Sequence, residues 1–197
     1  MRLTVLEPAS FASFPWKNGR GTTTDIAAEY ADGARPGDWA AAQWRFGRTT
    51  IDVPGPFSEM AGFERHQAVV RGRSLRLRLA DGGEIDVSTP FSPVAFSGDA
   101  RIVSVLDDGP VEVVNLIVRR TAGTGRLAVI DPVLPVEPGP GTHIVYAAAE
   151  ELSLRIDGAH VVLPAGHALR TENAARIVAL AGRGLVASVV AQAGAER

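Results

Sequence analysis

The chain of 197 residues contains no cysteine, and that absence removes a disulfide framework, a thiol nucleophile and any thiolate metal site at once. It also lacks a run of apolar residues long enough to cross a membrane as a helix. Near the N-terminus the apolar stretch 3–6 is cut short by Glu7 and Pro8, so no signal-peptide h-region forms. A cytoplasmic location is the expectation. Lysine and arginine nowhere form a block and the formal net charge is -2, which argues against nucleic acid and anionic membranes as partners. Helical periodicity is scarce as well; residues 40–42 and 147–151 have room for a turn of helix each and no more.

What the chain does have is short β-type segments. Alternating or β-branched character recurs at 3–6, 22–28, 42–50, 67–71, 75–79, 102–106, 111–118, 127–130, 144–147, 152–156, 161–163, 177–180 and 185–190. Asp-Gly, Gly-Gly, Pro-Gly and Gly-Pro pairs punctuate them, as in an all-β sandwich or barrel. Leu75, Leu77 and Leu79 alternate with Arg76 and Arg78, which predicts one buried and one wet face.

A weak internal repeat runs through the latter two-thirds. Ser74-Leu75-Arg76-Leu77 before Asp81-Gly82 resembles Ser153-Leu154-Arg155-Ile156 before Asp157-Gly158, and Ala100-Arg101-Ile102-Val103 resembles Ala175-Arg176-Ile177-Val178. Two copies of one β-unit imply a duplicated all-β barrel, the two units expected at 1–131 and 132–197 with the Pro/Gly-rich stretch 132–141 joining them. Gly158, Pro164, Gly166 and Asn173 keep the spacing of the second cupin motif, but Leu169 stands where its metal-binding histidine belongs. Neither half carries a His-x-His, and four scattered histidines do not make a metal centre. A cupin scaffold without metal or cofactor is the expectation.

The candidate binding residues are Trp16, Lys17, Asn18, Arg45, Arg65, His66 and Asn115. Trp16-Lys17-Asn18-Gly19-Arg20-Gly21 puts an aromatic, a cation and an amide on a glycine turn, yet no Lys-Ser/Thr and no helix follow to make a phosphate loop. In Gln43-Trp44-Arg45-Phe46 the aromatics share one strand face and Arg45 takes the other, toward solvent or a cavity. Arg65 could clamp a carboxylate and His66 could donate, accept or move a proton. Asn115 interrupts an otherwise apolar strand, so its amide must find a partner or face a ligand. No Ser-His-Asp order with a nucleophile elbow appears, and no catalytic residue is assigned.

Taken in order, Pro15-Trp16-Lys17-Asn18-Gly19-x-Gly21-x-Thr23, Trp44-Arg45, Gly55-Pro56-Phe57-Ser58 with Gly62 and Arg65, Phe96-x-Gly98-Asp99, Gly109-Pro110, Asn115 and Arg119-Arg120 resemble the HutD/Ves family of bacterial proteins. The likeness spans residues 1 to 120; Val113 and Val114 depart from it, since the family pattern implies an acidic residue shortly before the strand's asparagine. The resemblance implies a metal-free bicupin and an accessory or regulatory role in histidine utilisation, with N-formylglutamate or urocanate as suggested ligands; the Ves branch is associated with cold and stress. Lys17, Arg45 and Arg65 with Asn18 and Asn115 suit a small carboxylate, Trp16 or Trp44 covering its planar part. A homodimer fits the same expectations. The alternatives are a metal-independent enzyme on a small carboxylated metabolite and a stress-related bicupin with a structural or interaction role.

Overall fold

A computed structural model describes residues 2–15 and 22–192. The alternation read from the sequence becomes four antiparallel sheets stacked face to face. The first holds, in spatial order, Ala12–Pro15, Thr22–Tyr30, Ala42–Ile51, Val111–Arg119, Phe63–Arg71 and Val94–Ser97. Facing it is a smaller sheet of Gly55–Pro56, Ile102–Leu106, Leu75–Leu79 and Glu84–Asp86. The second half repeats the plan. Leu3–Leu6, Ala168–Glu172, Thr142–Tyr146, Gly184–Ala191 and Gly123–Ile130 make the larger sheet, and Ala159–Leu163, Leu152–Ile156 and Ile177–Ala181 the smaller.

The repeat is therefore topological as well as sequential. Leu75–Leu79 pairs with Glu84–Asp86 and Ile102–Leu106 just as Leu152–Ile156 pairs with Ala159–Leu163 and Ile177–Ala181. The chain is an all-β bicupin. Each unit is a pair of facing sheets, and among the described residues no ladder closes them into a barrel. Nor do the sheets divide at residue 131. Leu3–Leu6 pairs with Ala168–Glu172 and Gly123–Ile130 with Gly184–Ala191, so both strands lie in the second unit. Trp39–Ala41 forms one turn of 3-10 helix as its alanines allow, but residues 147–151 form none.

Three apolar layers follow from strand alternation. Ile51, Val69, Leu75, Leu77, Val87 and Ile102 fill the first unit, while Leu152, Leu154, Ile156, Leu169 and Val186 fill the second. Between the two large sheets, Trp44, Phe46, Leu116 and Val118 meet Ile144, Tyr146, Leu185 and Ala187. Leu75 and Leu77 are fully buried while Arg76 reaches out to Asp107 and Glu84, as their alternation predicts. Each such leucine contributes roughly 1.5–3 kcal/mol of burial. Leu169 is also fully buried, so the motif's metal-ligand position is occupied by a core side chain. No helix among the described residues is long and apolar enough to cross a membrane.

Candidate functional site

Directly opposed residues of neighbouring strands point to the same face of a sheet. Across the six-stranded sheet one such row reads Asp25, Gly47, Asn115, Gln67. The next reads Arg45, Ile117, Arg65, Phe96. These side chains face the smaller sheet, inside the first unit, beside the apolar layer of Val69 and Val113. Asp25, Arg45, Thr49, Arg65 and Gln67 are all buried. One end of the interior is thus polar and the other apolar.

The two arginines lie two strands apart, a Cα separation of about 10 Å. Arg45 is held by Asp25, its Nε and Nη2 donating to the same carboxylate oxygen at 2.9 and 2.6 Å. Its guanidinium stacks on Trp39, 3.3 Å from the ring centroid, with Phe14 at 5.4 Å. Burial pushes the Asp25 carboxyl up, and the contact with Arg45 pulls it the other way. Arg119 fixes the turn that carries Trp39 by donating to the carbonyls of Ala42 and Ala40 at 2.9 and 2.7 Å.

Arg65 is held differently. Among the described residues it has no acidic partner, and its hydrogen bonds to the Ser58 carbonyl and Asn115 Oδ1 are both long, 3.5 Å. Phe57 and Phe96 sit at 5.0 and 5.1 Å from its guanidinium carbon. Burial lowers its pKa to about 10, which still leaves it charged at neutral pH. Four buried polar atoms at this end have no hydrogen-bond partner among the described residues: Asp25 Oδ1, Arg45 Nη1, Arg65 Nε and Gln67 Oε1. A buried donor left unpaired costs about 1–3 kcal/mol, more when charged.

Of the residues expected from the sequence, the structure brings Arg45, Arg65 and Asn115 to one face. His66 is not with them. It neighbours Arg65 in a strand and so points to the opposite face, where its Nε2 lies against Gly125 of the second unit. Trp44 likewise points away from Arg45, its indole donating to Glu29 at 3.2 Å, so it cannot cover a group bound at Arg45. Trp16, Lys17 and Asn18 lie outside the described residues. Among the described residues no three histidines or carboxylates come together to hold a metal.

The family model HutD matches residues 8–187. The chain belongs to the HutD family. A relative from Pseudomonas putida, described as an uncharacterized 21.2 kDa protein in the hutC 3' region, is 29% identical over 160 residues, 81% of either chain. HutD from Pseudomonas fluorescens SBW25, solved in a formate condition, matches with a TM-score of 0.80 and 25% identity over 98% of this chain and 100% of that one. A conserved protein of unknown function from Pseudomonas aeruginosa PAO1 matches with a TM-score of 0.77 and 26% identity over the same shares.

In this HutD-family chain the sequence reading missed Asp25, Trp39 and Gln67. Thr23 and Asp25 on one strand face were the available sign, since Thr23 bonds Thr49 at 3.0 Å across the same interior. The motif residues Gly62, Asp99 and Arg120 turn out to brace the loop that carries Phe57 and Ser58. Asp99 accepts from the Gly62 amide at 3.0 Å and pairs with Arg120 at 2.6 Å.

Proposed function

We propose that the polar end of the first unit binds a small carboxylate and that the protein is an accessory or regulatory component of histidine degradation. Arg65 carries the reading: a buried guanidinium flanked by two phenylalanines, with two long hydrogen bonds, an unpartnered Nε and no acidic partner among the described residues. A carboxylate would supply the missing countercharge in a site of low dielectric, where such a contact is strongest. Asn115 and Gln67 add amides that can turn to donate or accept toward the rest of the ligand. Arg45 is already neutralised by Asp25 and serves as the rigid wall.

Membership in the HutD family, a relative named for its place beside hutC and a structural match solved in a formate condition support the pathway and the ligand class. N-formylglutamate, urocanate and formate are the ligands to try. Calorimetric titration of each into wild type and Arg65→Ala tests the reading. Heats that vanish with the guanidinium support it, and equal heats for the two proteins contradict it.

A further inference from the structure

The second unit carries a polar row of its own, buried except at its Arg126 end. Across its large sheet Arg126, Ser188, His143 and Thr171 stand directly opposite one another on the interior face. His143 is fully buried, with Nδ1 3.0 Å from Ser188 Oγ and Nε2 2.9 Å from the Gly139 carbonyl. A carbonyl can only accept, so Nε2 carries the ring proton, Nδ1 is an acceptor and the Ser188 hydroxyl donates to it. Burial lowers the imidazole's pKa, in keeping with this neutral form. The one hydroxyl hydrogen of Ser188 is thereby committed. Toward anything else its oxygen is an acceptor.

Ser188 opens onto a pocket of about 120 Å³ that Arg126 also lines, with Ala128, Val136 and Pro138 as apolar wall. Arg126 is exposed and forms no ion pair among the described residues. At the other end of the row, past His143, Thr171 Oγ1 is buried without a partner among the described residues. We propose that this pocket is a second, separate binding site, for a short 2-hydroxy acid: Arg126 takes the carboxylate, Ser188 Oγ accepts from the neighbouring hydroxyl, and the apolar wall receives a short alkyl group. The committed serine proton is what selects a ligand that brings its own donor.

L-lactate and propionate differ only by that hydroxyl and serve as probes. In backbone amide NMR, lactate is expected to move the Gly125 and Ser188 resonances saturably, and propionate to bind there roughly tenfold more weakly, the value of one hydrogen bond of about 1.4 kcal/mol. Arg126→Gln, at an exposed side chain, is expected to abolish both responses, and Ser188→Ala to bring lactate down to the level of propionate. Three results overturn the site: no movement at Gly125 and Ser188, equal binding of the two acids in wild type, or an unchanged response in Arg126→Gln. Movement confined to Gly47 and Asn115 places lactate in the first unit and also overturns it. None of these readouts depends on Arg65, so the two sites fail or stand separately.

Discussion

Arg45 gives two donors to one oxygen of Asp25 and leaves the other oxygen, and its own Nη1, without a partner among the described residues. The pair is 2.6 Å apart at its shortest and almost wholly removed from water. Such a pair neutralises itself while keeping unused valence, and the unused atoms belong to the polar end of the first unit. Removing one partner is therefore far worse than removing both. Asp25→Leu is expected to lower stability by about 3–5 kcal/mol, and the double variant Asp25→Leu/Arg45→Met to regain most of it. Urea unfolding of the three proteins checks this; a double variant no better than the single one contradicts it.

Gly47 stands in the middle of the same row because a side chain has no room there. A Cβ would lie 2.7 Å from the Thr24 carbonyl oxygen and 3.2 Å from Asp25 Oδ1. Gly47→Ala must push the Asp25 strand away, at a cost of about 1–3 kcal/mol. Thermal unfolding reads that loss, whereas Gly55→Ala, where a Cβ would meet open space, serves as the control.

Asp99 predicts an acid-side dependence. The Gly62 amide, then Arg120 and Ser97, hold its carboxyl down at about 2, below the ordinary 3.8. A depressed carboxylate adds stability that is complete above the ordinary value and lost as pH falls through 4 toward 2. Asp99→Asn should flatten the stability curve in that window and leave its shape above pH 5 unchanged. An unaltered slope in the variant speaks against the assignment.

His143 predicts a second dependence at higher pH. Burial lowers its pKa from 6.5, opposed by the Gly139 carbonyl and by the charge of Glu172. The unfolded chain then binds the proton more readily, so the stability it adds is complete above pH 6.5 and declines as pH falls below that value. His143→Gln should remove this decline, leaving the contribution of His66, which burial lowers in the same direction. A curve identical to wild type between pH 5 and 6.5 counts against it.

Alternation made the long strands legible, since Leu75, Leu77 and Arg76 sort by face from local chemistry alone. The segments Val94–Ser97 and Ala168–Glu172 were not legible as strands. Each is short and held by ladder pairing to its neighbours rather than by a periodic apolar face. Asn115 could be selected because it breaks an apolar strand, Arg45 because it takes the strand face opposite two aromatics, and Arg65 because its forked donors suit a carboxylate. Asp25 escaped because a carboxylate in a strand reads as a wet face until register places it against Arg45. His66, a candidate beside Arg65 in the sequence, faces away from it for a reason already present there: adjacent strand residues point oppositely. Strand exchange between the units, through Leu3–Leu6 and Gly123–Ile130, depends on pairing over long stretches of chain and leaves no local mark.

If Arg65 binds the carboxylate proposed above, the affinity for N-formylglutamate must differ between wild type and Arg65→Lys. Lysine keeps the charge but loses the forked donors and the flat face between Phe57 and Phe96. Binding to Arg65→Lys is expected to be at least roughly tenfold weaker, one tenfold step being about 1.4 kcal/mol, with a thermal midpoint close to that of wild type. Equal affinity in the two proteins would contradict it.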